Sequence, residues 1–178
     1  KAATSRVKTQ SAVEGWDLDL VDAGEFKDES YLSNPFNRCF FCKSSLYQTL
    51  SENSCGTLVS GTNSDDLQDF RPGLKAAEEF LVRHPYVEAC FTKDDVRVLA
   101  GNLGLPELSR LPASPCLSSR VETGIRIDAS DLGAIDEAES WMQQNYAPKT
   151  VRCRVLEEGI MIQLDLRTLE RLDLNDQQ

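Results

Sequence analysis

Apolar and polar positions along the chain switch between two periods. Lys1 to Val13 mixes Ala and Val with charge and reads as the tail of a helix, while Trp16-Asp17-Leu18-Asp19-Leu20-Val21-Asp22 alternates apolar with acidic residues, the pattern of a strand with one buried face. Gly24 to Phe36 is rich in turn residues, with Tyr31 and Leu32 as apolar anchors, and a helix is expected over Cys42 to Leu50. Thr57-Leu58-Val59-Ser60 reads as a short buried strand that stops at Gly61. Leu74 to Val82 carries apolar residues at helical spacing, with Glu78 and Glu79 on the wet face. Tyr86-Val87 reads as extended. Thr92, with Asp95 three residues on, marks a capped helix from Asp94 to Leu103 that ends at Gly104. Strand and helix alternate to this point, which predicts a parallel α/β sheet.

After Arg120 the pattern changes. Gly124 to Asp128 leads into a helix from about Ser130 to Tyr146. Val151-Arg152-Cys153-Arg154-Val155 and Ile160 to Asp165 then read as two strands joined by a turn at Glu157-Glu158-Gly159, and Leu166 to Leu174 as a closing helix. The change in character divides the chain into residues 1–120, an α/β part, and residues 121–178, a small α+β part.

Composition narrows the class. The 178 residues are 40% hydrophobic, enough for a buried core, and no run of about 18 apolar residues is present to span a membrane. The first residues lack the apolar stretch of a secretory signal. A net charge of −10 argues against nucleic acid as a partner, because phosphate neutralisation needs clustered Lys and Arg. Six cysteines in a core-rich chain of this length point to free thiols in a reducing, cytoplasmic compartment rather than to disulfide staples.

Those thiols carry the candidate chemistry. Cys39 and Cys42 form a C-x-x-C pair after Asn34-Pro35-Phe36-Asn37-Arg38, and Cys116 sits in the second proline-broken loop, Pro112-Ala113-Ser114-Pro115, followed by Leu117-Ser118-Ser119-Arg120. A C-x-x-C pair can aim two sulfurs at one atom, and a nearby guanidinium or a helix N-terminus favours the thiolate. The three sulfurs are expected to meet in space. Three uses stay open: a structural zinc, which wants a fourth ligand that the single histidine, His84, does not readily supply; an iron-sulfur cluster; and thiol redox exchange. Burial as small hydrophobes is the fourth, and it is the expectation for Cys55, Cys90 and Cys153.

Other candidates are weaker. The strand end at Gly61 is where open α/β sheets bind ligands, and Asp66 with Arg71 is the preferred pair for a magnesium or nucleotide contact; an ordinary capped helix start with Asn63 or Ser64 as cap is the alternative. His84, before Pro85, reads as structural. Arg152 and Arg154 share a strand face about 7 Å apart, able to clamp a phosphate or carboxylate, or to pair with an acid such as Glu139.

Four motifs taken in order carry a resemblance: N-P-F-N-R-C-F-F-C-K, S-G-T-N-S-D-D-L-Q-D-F-R-P-G-L-K-A-A, F-T-K-D-D-V-R-V-L-A-x-x-L-G-L-P and P-A-S-P-C-L-S-S-R. From about Trp16 to Asp165 the chain resembles the ATP-dependent sulfur transferases of the LarE family, within the PP-loop ATP pyrophosphatases. The resemblance implies a parallel-sheet adenine nucleotide alpha hydrolase-like domain. It also implies sulfur insertion into pyridinium-3,5-biscarboxylic acid mononucleotide during nickel-pincer nucleotide cofactor assembly. ATP with Mg2+ would adenylylate a carboxylate and sulfur would displace AMP. Cys116 matches the sulfur-bearing position, and Cys39 and Cys42 match the type that holds a 4Fe-4S cluster on three cysteines. Asp66, Arg71, Ser119 and Arg120 are the expected cofactor contacts, Arg152, Arg154 and Glu139 the expected substrate contacts, and a trimer-based homo-hexamer the expected assembly. Two departures stand out. The family's S-G-G-x-D-S-S pyrophosphate loop has no counterpart and is expected upstream of Lys1, so that the chain reads as part of a longer protein. Around Cys116, Leu111 stands for a Lys and Glu122-Thr123-Gly124 for Pro-Tyr-Gly. The alternatives are another adenylating or thiolating enzyme of the superfamily and a non-catalytic metal-binding homologue.

Overall fold

The computed structural model describes residues 2–111 and 115–175. The elements run α1 (Ala2–Glu14), α2 (Glu29–Leu32), α3 (Arg38–Asn53), α4 (Pro72–Glu79), α5 (Pro85–Glu88), α6 (Lys93–Asn102), α7 (Pro106–Ser109), α8 (Ala129–Tyr146), β1 (Val151–Leu156), β2 (Gly159–Leu164) and α9 (Leu166–Asn175). Helix dominates, and among the described residues the one sheet is the antiparallel pair β1–β2. No described helix is long and apolar enough to cross a membrane.

The expected parallel sheet is thus reduced to a trace. Val59 and Arg83 form a single parallel bridge, with Ser60 N donating to Arg83 O at 2.9 Å and Arg83 N to Leu58 O at 2.9 Å, and α4 is the crossover between them. Val59 is 64% exposed, so this segment is not the buried strand that its apolar run suggested. Trp16 to Asp22 is not a strand either. No described residue supplies it a ladder and its side chains are exposed; its first residue turns back to α1, with Trp16 N donating to Ser11 O at 3.0 Å. Tyr86-Val87 lies in the short helix α5, because Pro85 presets a helical φ at its first position.

Three small cores hold the chain. In the first, Tyr47 on α3 meets Ala76 and Ala77 on α4, and Phe40, Leu46 and Leu50 pack around them. Methyl-sized residues on α4 let the helices approach closely. At Gly73 a Cβ would stand 3.0 Å from Lys43 Cγ, so glycine sets that approach at the mouth of the helix pair. The second joins Tyr31 and Leu32 to Ile127, and the third sets Val121 and Ile135 on Cys153. The second core crosses the boundary drawn from the sequence at residue 120.

Local capping explains where several elements begin. Asn63 caps the 3-10 turn Ser64–Gln68 with Asp66 answering, and Thr92 caps α6 with Asp95 answering, both as reciprocal capping boxes. Asp128 Oδ1 accepts from Ser130 N at 2.7 Å to start α8. The hairpin pairs Arg152 with Gln163 and Arg154 with Met161, which leaves both arginines on one face as the period-two pattern required.

Candidate functional site

Asn34 builds the site, and the sequence reading missed it. Its side chain is fully buried and its backbone is left-handed at φ 53°, a conformation that asparagine tolerates better than most residues. Asn34 Nδ2 donates to Glu122 O at 2.7 Å and Ile125 O at 2.8 Å, its own carbonyl accepts from Gly124 N at 2.9 Å, and its Oδ1 accepts from Arg38. Ile127 N donates to Leu32 O at 2.8 Å, and the Tyr31 and Ser118 hydroxyls lie 2.7 Å apart in a buried contact. These bonds fasten the loop before the C-x-x-C pair to the segment after Cys116. The one signal in the sequence was the turn-forming Asn-Pro pair, which says nothing about partners some ninety residues away.

Fastening the loops brings the thiols into one neighbourhood. Cys39 and Cys42 lie in the first turn of α3, with Cys39 exposed and Cys42 half-buried, and Cys116 is exposed just before the 3-10 turn Leu117–Arg120. Burial pushes the Cys42 thiol up to about 11, and negative charge at Glu25, Cys116 and Cys39 adds to the rise against the pull of Lys43. That reverses the expectation of an activated thiolate there. Arg38 turns to Asn34 instead of to sulfur, and desolvation with like charge outweighs the helix N-terminus. All three are free thiols, and no group of three metal-ligating side chains is preassembled around a single point among the described residues. A 4Fe-4S cluster takes each thiolate on a different iron, so its cysteines stand farther apart than the ligands of one ion. Cys42 lies in charge range of both Cys116 and Cys39, and three free, soft donors fit that group in kind.

Cys39 also lines a cleft of about 390 Å3 whose other walls are Ser60-Gly61-Thr62, Asp66 and Arg71. Arg71 pairs with Asp66 at 2.8 Å and with Asp69 at 3.3 Å, and Asp66 accepts from Asn63 N at 3.1 Å, so Asp66 both caps a turn and faces the cleft. Ser60 Oγ lies 2.7 Å from His84 Nδ1 and 2.8 Å from Thr62 Oγ1, so His84 meets the cleft wall through Ser60.

The remaining candidates divide. Arg120 and Glu139 form a two-pronged pair, Nε to Oε1 at 2.8 Å and Nη2 to Oε2 at 3.1 Å, with side chains only 8% and 15% exposed. Glu139 Oε1 also accepts from Cys153 N at 2.9 Å. Ser119 Oγ donates to Cys116 O at 2.7 Å and accepts from Arg120 Nη1 at 3.2 Å. Arg120, Ser119 and Glu139 therefore shape the turn that carries Cys116. Arg154 donates to Gln163 Oε1 at 2.7 Å and Ser119 O at 3.2 Å, while the half-buried Arg152 side chain makes no ion pair or hydrogen bond among the described residues. Cys153 is buried as expected, but Cys55 and Cys90 are exposed. Pro112, Ala113 and Ser114 of the Cys116 motif lie outside the described residues.

The fold and site define a helix-rich chain with three thiols in one neighbourhood, of which Cys39 stands in the wall of an acid and arginine cleft. No family model matches it. Among curated proteins it is 30% identical over a 181-position alignment to the pyridinium-3,5-bisthiocarboxylic acid mononucleotide synthase of Lactiplantibacillus plantarum, an alignment covering 99% of this chain and 63% of that protein. It is 39% identical over 130 residues to an uncharacterized protein of Synechocystis, covering 71% of this chain and 48% of the relative. An uncharacterized protein of Methanocaldococcus jannaschii is 30% identical over 145 residues, covering 78% and 55%. The chain spans about half to three-fifths of the length of the curated relatives it matches.

Proposed function

We propose that the chain belongs to an ATP-dependent sulfur transferase of the LarE kind, acting on a pyridinium carboxylic acid mononucleotide in nickel-pincer nucleotide assembly, within the cytoplasm and as a homo-oligomer. The observation that carries the reading is similarity along 99% of the chain to a synthase whose product is a bisthiocarboxylic acid mononucleotide. The shared neighbourhood of Cys39, Cys42 and Cys116 supports it. In the proposed reaction the substrate carboxylate attacks the α-phosphorus of ATP and pyrophosphate leaves, with Mg2+ screening the phosphates. Sulfur then attacks the acyl carbon and AMP departs, leaving a thiocarboxylate. A carboxylate resists nucleophiles, and its acyl adenylate does not.

In this reading Cys39, Cys42 and Cys116 hold a 4Fe-4S cluster, which when bound supplies transferable sulfide. The chain's own residues have separate tasks. Asp66 and Arg71 face the nucleotide side of the cleft, Arg152 and Arg154 offer the substrate phosphate two guanidinia on one strand face, and Glu139 and Arg120 fix the turn carrying Cys116. Anaerobic purification tests the reading. Iron near four per chain is expected in the wild type, with loss of iron in Cys116→Ala. Colourless protein holding one zinc, or unchanged iron in Cys116→Ala, overturns it.

A further inference from the structure

Phe36 and Phe70 are 75% and 74% exposed, yet their rings stack with centroids 5.8 Å apart and planes 20° from parallel. The two residues come from different loops. Phe36 follows the buried Asn34 anchor and Pro35, and Phe70 sits between Asp69 and Arg71, where Pro72 opens α4. Each loop is thus fixed at its base while the ring projects. Behind the pair, a cleft of about 470 Å3 is walled by Phe40 and Leu74, with Arg71 and Lys75 as its cations and Asp69 as its acid. Lys75 Nζ already stands over the Phe40 ring, 5.6 Å from its centroid. The two clefts share a wall: Phe70, Arg71, Pro72 and Leu74 line both, and Cys39 lines the neighbour.

Solvent-exposed stacked rings flanked by cations are a surface for a flat ligand whose ring is electron-poor and whose substituents are anionic. Resting on the sulfur-transfer reading, we infer that Phe36 and Phe70 form the platform for the pyridinium ring of the substrate, with Arg71 and Lys75 receiving its ring carboxylates. A pyridinium carries its positive charge in the ring, so a phenyl face attracts it as it attracts any cation. Adenine fits less well, because it is neutral and places no anion on the ring for Arg71 and Lys75 to meet. The shared wall sets such a ring next to the cleft that Cys39 lines. Arg71 can change partner here, since its contact with Asp69 is long and both groups are exposed to solvent.

Calorimetric titration of the chain with nicotinic acid mononucleotide and with its 1,4-dihydro form separates ring charge from everything else in the ligand. The two forms share the carboxylate, ribose and phosphate and differ in the charge of the ring. The expected result is a preference of roughly 3- to 30-fold for the oxidised form. That preference disappears in Phe36→Leu/Phe70→Leu, which keeps apolar bulk and removes the π faces, while circular dichroism and melting stay as in the wild type. Equal affinity for the two forms, a preference that survives in the double variant, or no binding by the wild type overturns the inference. So does a change in sedimentation coefficient with unchanged affinity, which marks the rings as a contact between copies, or a phenyl dependence found for AMP instead. The iron measurement fails or succeeds separately: pyridinium selectivity without iron sinks only the sulfur-transfer chemistry, and iron without selectivity sinks only the platform.

Discussion

Two arginine-carboxylate pairs in this molecule use the same groups at nearly the same distance and do opposite work. Arg120 and Glu139 are buried, doubly hydrogen-bonded and shared with the Cys153 backbone, whereas Arg71 meets Asp66 and Asp69 at the open wall of a cleft with nearly half its side chain in water. Buried, such a pair cannot trade partners without stranding a charge, so it fixes structure. At the surface, water and salt compete for each group, and a ligand anion can replace a protein one at little loss. Burial, not identity, separates a fixed arginine pair from an exchangeable one.

The largest effect follows from breaking the buried pair. Glu139→Gln keeps an acceptor for Cys153 N and nearly the same shape, but leaves Arg120 charged and unmatched. Urea unfolding should show a loss of about 3–5 kcal/mol. A loss under about 1 kcal/mol would erase the contrast between the two pairs. Asn34→Ala comes next. It removes hydrogen bonds to the Glu122 and Ile125 carbonyls, leaves those acceptors in a closed site, and sets at φ 53° an alanine, which tolerates the left-handed backbone less well than asparagine does. About 2–4 kcal/mol should be lost. Asn34→Gly relieves the backbone alone and should recover about 1 kcal/mol of it. Because the Asn34 bonds fasten Cys116 to the C-x-x-C helix, both variants should also lose iron in the cluster reading, and retained iron would show that the thiols do not need this anchor.

Cys42 gives a smaller, pH-dependent effect. Its folded thiol is pushed up from 9.0 to about 11. The folded state therefore holds its proton after the unfolded chain has released it. Its contribution is intact below pH 9 and is lost as the pH rises toward 11. Wild-type melting temperature should fall over that window more than that of Cys42→Ala, measured without metal. Parallel curves for the two proteins would mean that Cys42 is not desolvated as its position indicates.

The sequence revealed local structure better than long-range contact, and the reason is physical. Capping boxes at Asn63 and Thr92 and the hairpin of β1 and β2 need only residues a few positions apart, so pattern reading finds them to within a residue or two. Trp16 to Asp22 shows the limit: alternation fits a strand, but a strand exists only with a partner, and none of the described residues supplies one. Cys55 and Cys90 were assigned to the core by residue type, although neither position is covered by its neighbours. For the site, residue type singled out Cys42 and Glu139 but not their surroundings: burial and neighbouring negative charge raise the proton affinity of Cys42, and the Glu139 carboxylate meets Arg120 and the Cys153 backbone. Asn34, Phe36 and Phe70 all stand within the quoted motifs, yet nothing local to them shows that Asn34 is buried or that the two rings stack.

Arg71→Ala is the mildest change and the sharpest check on the comparison. An exposed pair contributes at most about 1 kcal/mol, and exposed charges lose most of their interaction beyond a Debye length of about 8 Å at physiological salt. Unfolding midpoints of wild type and Arg71→Ala should differ slightly in low salt and converge in 1 M sodium chloride, while the Glu139→Gln deficit persists at both, since salt does not enter the buried pair. Nucleotide affinity should respond the other way. Arg71→Ala weakens it several-fold with stability almost unchanged, because Asp66 and Asp69 are left to repel the incoming anion, phosphate or ring carboxylate, once their shared cation is gone. A salt-insensitive loss of stability in Arg71→Ala, matching that of Glu139→Gln, would place Arg71 in the scaffold and leave the cleft without its exchangeable cation.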